Sequence, residues 1–394
     1  MTTQNDGRAQ DFWNRDFLVA LAGYFFLFMS VTLFFLFPLF LEQFQPSKSR
    51  VGLIMGVHSV MAILIRPLFG RRIDVRGGRK ISLAGLAFLI LVLPMFHLVK
   101  DAGWLPLLLR AGTGFGWGIA MTATISICSD MAPVDRLARS MGVIGIAGLV
   151  ASAAGPLLAE SLIARFGFGA LFNVSLVFLV ASFLCVALTR DGLRMDQDRR
   201  PSDLRGLRRI GPIILIVVAA MPVFHGAVRG AMINFIALFG RSVGVQRIGL
   251  FFVLFSLAAI ITRFGLSDLS DRYGRKKVIF PAAVLVAANL VFLSQVRSPA
   301  AFAAAGFFGG LGQGLIFPAL STYIIDFLGR NNKGLAISLY LSFFDVGMGL
   351  GSPFFGWVSD RAGYRTMYLA AAGLLVLATA IFMRKAPATE IKEN

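Results

Sequence analysis

Long apolar segments alternate with short polar ones along the whole chain of 394 residues. The apolar segments are about 18 to 28 residues long, which lets each cross a hydrocarbon core of roughly 30 Å as an α-helix. The alternation predicts an all-α membrane protein that crosses the bilayer many times.

Twelve membrane helices are predicted, in two groups of six. Their expected ranges are 17–41, 50–70, 81–99, 104–128, 138–163, 168–189, 211–239, 247–267, 278–295, 300–325, 334–358 and 364–384. The segment 190–209, rich in Arg and Asp and without apolar periodicity, is interpreted as a linker. The expected organisation is a six-helix bundle over 1–189, the linker over 190–209, and a second bundle over 210–394.

The two groups of helices are related by an internal repeat. Residues 66–80 read RPLFGRRIDVRGGRK, and residues 263–277 read RFGLSDLSDRYGRKK. A shift of 197 positions, half the chain length, superimposes Arg66 on Arg263 and Asp74 on Asp271. The same shift carries Pro156 to Pro353. The repeat predicts two pseudo-symmetric halves.

Composition supports the membrane assignment. The chain is 57% hydrophobic and 15% charged, with mean hydropathy +0.77, which excludes an ordinary soluble globular protein. Its formal net charge of +18 does not indicate nucleic-acid binding, because the basic residues lie in short loops and not on one folded face.

The distribution of basic residues predicts the orientation in the membrane. With cytoplasmic termini, 25 of the 38 Lys and Arg residues fall on the cytoplasmic side, as the positive-inside rule requires. We therefore expect a bacterial cytoplasmic membrane protein with both termini cytoplasmic. The polar N-terminal residues predict no cleavable signal peptide.

Several chemistries are not expected. Cys128 and Cys185 lie in apolar helices, so neither a disulfide nor a metal site is predicted. No phosphate-binding G-x-x-x-x-G-K-[ST] motif is seen, and the sequence predicts no cofactor. No H-E-x-x-H or G-x-S-x-G motif is seen either, so an intramembrane enzyme is disfavoured. A sensor that has lost transport remains an alternative from another class.

The repeated charged motif resembles the G-x-x-x-D-R-x-G-R-R hallmark of the major facilitator superfamily of secondary transporters. The first copy matches at Gly70, Asp74, Gly77 and Arg79, with Val75 and Gly78 where the family usually has Arg. The second matches at Asp271, Arg272, Gly274, Arg275 and Lys276, with Ser267 in place of the leading Gly. The resemblance covers the whole chain and implies two six-helix bundles around a midplane binding site, working by alternating access.

The charged motifs suggest a conformational latch between the halves. A carboxylate there can pair with basic residues and with a helix N-terminus, and such a pair can break when the cytoplasmic side opens. Asp130 and Asp326 resemble the acidic partners that the family places nearby, and Lys80 extends the first basic cluster. The alternative is that the motifs only fix the membrane topology.

Helices 4 and 5 carry two further family resemblances. Arg110, followed by Gly112, Gly114 and Gly116, is similar to a pattern of proton-coupled members, although Arg110 could instead extend to the outer interface. The Gly-rich run 142–156 is similar to an exporter signature, but Ala159 and Glu160 replace its final glycines. Ordinary tight helix packing also explains that run.

The remaining polar residues inside helices are candidates for substrate binding and proton coupling. Asp345 lies near the middle of helix 11, where a lone ionised carboxylate is costly, so we expect it to be paired or protonated. Arg229 on helix 7, with His225 one turn earlier, is its expected partner by fold analogy, whereas Glu160 is expected to pair with Arg110. Gln313 on helix 10 completes the set. His58 and His97 are expected near the outer surface.

The predicted function is proton-coupled export of a small organic or amphipathic compound. Uptake or facilitated transport of an organic anion or sugar, or movement of a lysolipid, remains open, and an anion would favour Arg110 and Arg229 as ligands. The abundant Phe residues either line a cavity or pack against lipid and neighbouring helices. The expected partners are a small-molecule substrate, protons and the lipid bilayer, with no nucleic acid. We expect a monomer.

Overall fold

The computed structural model describes residues 14–131, 137–189, 212–265, 273–328 and 333–387. Within these ranges every regular element is helical. The predicted linker 190–209 lies outside them, so the proposed domain boundaries stay predictions.

The first bundle contains helices α1 to α6. Helix α1 spans Arg15–Glu42 and passes through a 3-10 turn at Phe34–Leu36. Helix α2 is Lys48–Arg76, α3 is Gly78–Val92 with a 3-10 extension Leu93–Leu98, and α4 is Trp104–Met131. Helices α5 and α6 are the two parts of Leu137–Leu188 on either side of Gly167.

The second bundle repeats this order. Helix α7 is Pro212–Ser242, α8 is Gly249–Gly265, α9 is Arg275–Leu293 and α10 is Pro299–Leu328. Helices α11 and α12 are the two parts of Lys333–Lys385 on either side of Gly363. In the described parts of the chain, eight helices are long and apolar enough to span a membrane, and two of these are double spans of 49 and 50 residues. Short α8 and the polar-rich α4 complete the twelve.

Glycines with positive φ mark equivalent bends in the two bundles. Gly77 (φ 82°) separates α2 from α3, and Gly274 (φ 94°) precedes α9. Gly167 (φ 76°) and Gly363 (φ 78°) separate α5 from α6 and α11 from α12. A left-handed backbone favours glycine, since it has no Cβ to clash. The matching bends give the internal repeat a structural counterpart.

Glycines also set the helix packing within each bundle. A Cβ at Gly118 of α4 would lie 2.9 Å from the Ala62 carbonyl oxygen of α2. In the second bundle, a Cβ at Gly306 of α10 would lie 2.5 Å from the Phe251 carbonyl oxygen of α8. Close backbone contact of this kind drives helix association in lipid, where burial of apolar surface gives little.

Phenylalanine fills much of the first bundle. Rings of Phe34, Phe37, Phe40, Phe96 and Phe172 form edge-to-face, tilted and stacked pairs, with centroids 5.1–6.3 Å apart. These five rings are packing residues between α1, α3 and α6. For this group the packing interpretation is confirmed.

By the parity of twelve helices, both described ends of the chain lie at the same face of the molecule. We call it the terminal face; it contains Arg15 and Lys385. The opposite face contains the ends of α1 and α11 and the beginnings of α2 and α8.

Candidate functional site

The central polar contact between the bundles is an ion pair. Arg66 of α2 donates through Nη1 to Oδ2 of Asp345 on α11. Both side chains are partly buried, at 22% and 15% exposure. Asp345 lies in the middle of its helix, whereas the other described acidic residues lie near helix ends. The pair therefore places the interior carboxylate of the described helices at the contact between the halves.

Close packing of α2 on α11 positions this pair. A Cβ at Gly56 of α2 would lie 2.5 Å from the Gly349 carbonyl oxygen, and Gly52 lies directly against the Ser352 backbone. The same helix face continues to Arg66 and Asp345. The expected pairing of Asp345 with Arg229 is wrong, because α2 brings a closer cation across the interface.

Arg229 is instead directed at an aromatic ring. Its guanidinium carbon lies 4.4 Å from the ring centroid of Phe255 on α8. A cation over an aromatic face is stabilised by the ring quadrupole, more strongly where water is excluded. Arg229 thus links α7 to α8 within the second bundle.

A second polar group lies between α7, α10 and α11. Nε2 of fully buried His225 is 2.8 Å from Oε1 of Gln313, so Nε2 donates and Nδ1 is left to accept. The hydroxyl of Tyr340 lies 3.4 Å from that Nδ1. His225 and Gln313, predicted separately, are in contact, and Tyr340 joins them one helical turn before Asp345.

Arg110 lies inside the first bundle with 6% of its surface exposed, and it does not extend to the outer interface as the alternative interpretation had it. Its guanidinium carbon lies 5.7 Å from the Phe34 ring centroid and 5.9 Å from that of Phe37. It lines a small cavity together with His58, whose Nδ1 is 3.2 Å from the Thr113 hydroxyl. His58 was expected near the surface; it belongs to this interior group because α2 packs closely on α4.

Glu160 has a different partner from the one predicted. Its two carboxylate oxygens accept hydrogen bonds from the backbone N–H groups of Ile248 (2.8 Å) and Gly249 (3.0 Å). These groups begin α8 in the other bundle, where unpaired N–H groups and the helix dipole favour an anion. The expected pairing with Arg110 is wrong, since both carboxylate oxygens of Glu160 accept from the start of α8, whereas Arg110 lies against the rings of Phe34 and Phe37.

Asp360 makes the equivalent contact at the other side of the interface. Its oxygens accept from the backbone N–H groups of Lys48 (2.6 Å) and Ser49 (2.8 Å), which begin α2. The Lys48 ammonium donates to the Ser359 carbonyl oxygen (3.2 Å) and lies over the Tyr364 ring. Two carboxylates, one from each bundle, therefore cap helices of the other bundle at the opposite face.

Arg79 and Lys276, two equivalent basic residues of the repeated motif, bind within their own bundles. Arg79, at the start of α3, donates to the Ala187 carbonyl oxygen at the end of α6. Its counterpart Lys276, at the start of α9, donates to the carbonyl oxygens of Met383 (2.9 Å) and Ala386 (2.8 Å) at the end of α12. Cations at helix C-termini satisfy free carbonyl groups and complement the dipole.

Asp326 lies beside the second motif. Nε of Arg275 lies 2.8 Å from Oδ2 of Asp326, linking α9 to α10. Lys80 is exposed at the terminal face, and Asp130 is half-buried at the corresponding end of α4. Gly77 and Gly274 are the bends already described. The side chain of Asp74, the surroundings of Gly70, and residues Asp271 and Arg272 lie outside the described parts, so the latch hypothesis stays a prediction.

Sequence reasoning assigned no site role to Arg66, Arg263, Tyr340 or Asp360. Arg66 and Arg263 were considered only as the first residues of the two copies of the repeated motif. An arginine two turns before a polar loop can place its side chain inside the membrane, and this signal could have identified both. Tyr340 could have been identified as a candidate, because it is one of 6 Tyr residues in the chain and lies inside a predicted membrane helix. Asp360 resembled an ordinary loop residue, and its helix partner follows only from tertiary contact.

Comparisons with known proteins agree with this architecture. The Major Facilitator Superfamily model matches residues 19–243 and 218–394. The chain is 24% identical over 383 residues to the multidrug resistance protein MdtG of Dickeya zeae, covering 93% of each protein. It is 23% identical over 374 residues to the staphylopine export protein of Staphylococcus aureus, covering 88% of this chain and 90% of that protein.

A solved structure has the same fold. A bacterial homologue of the human lysosomal transporter Spinster, in an inward-facing and unoccupied conformation, aligns with TM-score 0.74 and 16% identity. The alignment covers 94% of this chain and 96% of that one. The chain is therefore a multi-pass membrane protein that belongs to the major facilitator superfamily, a family of transporters and not of enzymes.

Proposed function

We propose that the protein exports a small organic compound in exchange for protons. The observation that carries the proposal is the Arg66–Asp345 pair between α2 and α11. Names of similar proteins, a multidrug resistance protein and a staphylopine export protein, favour export as the direction.

The chemistry of the pair supplies a coupling mechanism. Ionised Asp345 attracts Arg66 across the interface, and a proton on Asp345 removes that attraction. Proton binding to Asp345 is then linked to separation of α2 from α11, because Asp345 has a lower proton affinity when it is paired with Arg66 than when the two helices are apart. Arg66 faces Asp345 from α2, Tyr340 precedes it on α11, and Arg263 of α8 lies within electrostatic range of Tyr340.

Alternating access would proceed by rocking of the two bundles around this centre. The contacts of Glu160 with α8 and of Asp360 with α2 hold the opposite face together. The clusters around Asp74 and Asp271 are proposed to hold the terminal face in the other state. The charge asymmetry of the loops supports a cytoplasmic terminal face in a bacterial inner membrane, with a monomer as the working unit.

Proton release on ligand binding tests the proposal. Purified protein in weakly buffered detergent would receive ethidium, indole or benzoate while a pH indicator is followed. We expect at least one compound to release protons from the wild type and none to do so from Asp345→Asn. Asp101→Asn, which changes a carboxylate in the loop between α3 and α4, is the matched control and should behave as the wild type. Binding without proton release in the wild type, or unchanged release in Asp345→Asn, would contradict proton exchange at this site.

A further inference from the structure

The internal repeat relates two interfaces between the bundles. A shift of 197 positions carries Arg66 of α2 to Arg263 of α8, and carries Gly148 of α5 to Asp345 of α11. The contact of α2 with α11 therefore corresponds to the contact of α8 with α5. In the first contact the arginine has a carboxylate partner. In the second, the position of that carboxylate is occupied by a glycine.

Arg263 nevertheless points at α5, as its counterpart points at α11. A Cβ at Gly145 would lie 2.9 Å from Nη1 of Arg263. The Nε atom of Arg263 is buried, and it has no hydrogen-bond partner among the described residues. Arg263 as a whole is half-buried, and a partly desolvated guanidinium whose Nε lacks a partner in the described parts of the chain is suited to an anion from outside the chain.

The glycine surface of α5 beside Arg263 opens toward the terminal face. The nearest atoms to a Cβ at Gly148 would be the Tyr24 hydroxyl, at 3.0 Å, and the edge of the Phe28 ring, at 3.8 Å, whereas a Cβ at Gly142 would meet nothing within 4 Å. Nearer the opposite face the same helices are in close contact, since a Cβ at Gly249 would lie 2.8 Å from Cα of Leu157. The space between α5 and α8 thus widens toward the terminal face, past Arg263.

The charge balance of the helix interiors also favours an anionic ligand. In the described helices, three arginines lie away from the ends, at positions 66, 110 and 229, and Arg263 lies in the last turn of α8. The single interior carboxylate of these described helices is that of Asp345. An excess of positive charge inside the molecule raises the local concentration of anions and disfavours cations.

We propose that Arg263 and the Tyr24 hydroxyl, above the glycine surface of α5 at Gly145 and Gly148, form a subsite for a carboxylate of the transported molecule. The ligand carboxylate takes the place that Asp345 holds in the equivalent interface, so the substrate is a small organic anion. Guanidinium and phenol both donate to carboxylate oxygens, and charge-assisted hydrogen bonds of this kind fix orientation as well as affinity. The inference rests on the proposed transport function and names the class of substrate that would be transported.

A variant that adds a carboxylate to the chain at position 148 tests the proposal. In Gly148→Asp the new side chain would pair with Arg263 and displace a ligand carboxylate. Gly148→Asn has nearly the same size and no charge, and is the matched control. Equilibrium binding to purified protein would use benzoate, indole-3-acetate and citrate, with benzamide and indole-3-acetamide as neutral counterparts.

We expect at least one carboxylate to bind the wild type and Gly148→Asn, and to bind Gly148→Asp and Arg263→Gln at least about tenfold more weakly. Binding of the neutral amides should not differ between Gly148→Asp and Gly148→Asn. Equal carboxylate affinity in both Gly148 variants, or no binding of any carboxylate to the wild type, overturns the subsite.

Two further measurements are needed. One distinguishes a site for inorganic anions from a site for a substrate carboxylate, and the other distinguishes this inference from the proposed proton exchange. If chloride or inorganic phosphate at matched ionic strength displaces the bound carboxylate completely at equal concentration, the site takes free inorganic anions, and the substrate assignment is overturned. Carboxylate binding that depends on Gly148 and Arg263, without proton release, would leave this inference standing and reject proton exchange. Folding of each variant is checked by its elution as a single peak in detergent.

Discussion

Glu160 and Asp360 lie two hundred positions apart in the chain and make the same contact on the two sides of the molecule. Each accepts hydrogen bonds from two backbone N–H groups at the start of a helix in the other bundle, α8 for Glu160 and α2 for Asp360. The helices that they cap also begin about two hundred positions apart. The opposite face is therefore closed by a pseudo-symmetric pair of helix caps.

Removing both caps should shift the protein toward conformations open at the opposite face. Replacing such a cap by Ala costs about 0.5–2 kcal/mol, so Glu160→Ala with Asp360→Ala should raise the open population at least several-fold. Spin labels at Asp101 and Arg297, on exposed loops of the two bundles at this face, would report a longer distance in a Cys128→Ala/Cys185→Ala background.

His97→Ala is the control for that experiment. It removes a 2.9 Å hydrogen bond to Asn173 at the same face but within the first bundle. The distance distribution of this variant should match the parent. An unchanged distribution in the double cap variant would show that the caps do not hold the face closed.

Arg66 and Asp345 should show strong energetic coupling. Removing one partner of a buried, hydrogen-bonded charge pair costs about 2–5 kcal/mol, much of it from the charge left behind. Arg66→Gln and Asp345→Asn should each destabilise the protein, and the double variant should be more stable than the sum of the single losses predicts. Equilibrium unfolding in mixed micelles measures the four free energies. Additive losses would mean that the pair does not act as a unit.

The contact of His225 with Gln313 should matter more than that with Tyr340. Gln313→Leu leaves the buried Nε2–H donor without a partner and should cost about 1–3 kcal/mol. Tyr340→Phe removes a contact of 3.4 Å, near the limit for a hydrogen bond, and should cost less than about 1 kcal/mol. Unfolding free energies in the same micelles rank the two variants, and the reverse order would contradict the assigned donor.

Lys276 should stabilise the end of α12. Lys276→Gln removes the donor to the Met383 and Ala386 carbonyl oxygens and should destabilise this end by about 0.3–1 kcal/mol. Hydrogen–deuterium exchange of a peptide covering 380–387 should become faster, and Lys276→Arg should restore protection. Arg384→Gln changes an exposed cation on α12 and serves as the control. Equal exchange in Lys276→Gln and the wild type would reject the capping role.

The fold could be predicted because each helix has its own signal in the sequence. A segment that crosses lipid must satisfy its backbone hydrogen bonds internally, so length and hydropathy identify α1, α7 and α12 without knowledge of their neighbours. The repeat of Arg66–Lys80 at Arg263–Lys277 then established two related halves. Helix ends differed by a few residues, chiefly where α2 continues to Arg76 through the polar motif.

The site could be predicted only in part, because partners depend on which helices cross and where. Asp345 was identifiable from the cost of an interior carboxylate, but its pairing with Arg66 required the close contact of α2 with α11. Glu160 was identifiable as an acidic residue near a helix end, but its partner is a backbone that begins almost ninety positions later. Sequence thus determined which residues carry an energetic cost in the membrane. Tertiary structure alone decided which groups compensate that cost, since hydrogen bonds and ion pairs act only over a few ångströms.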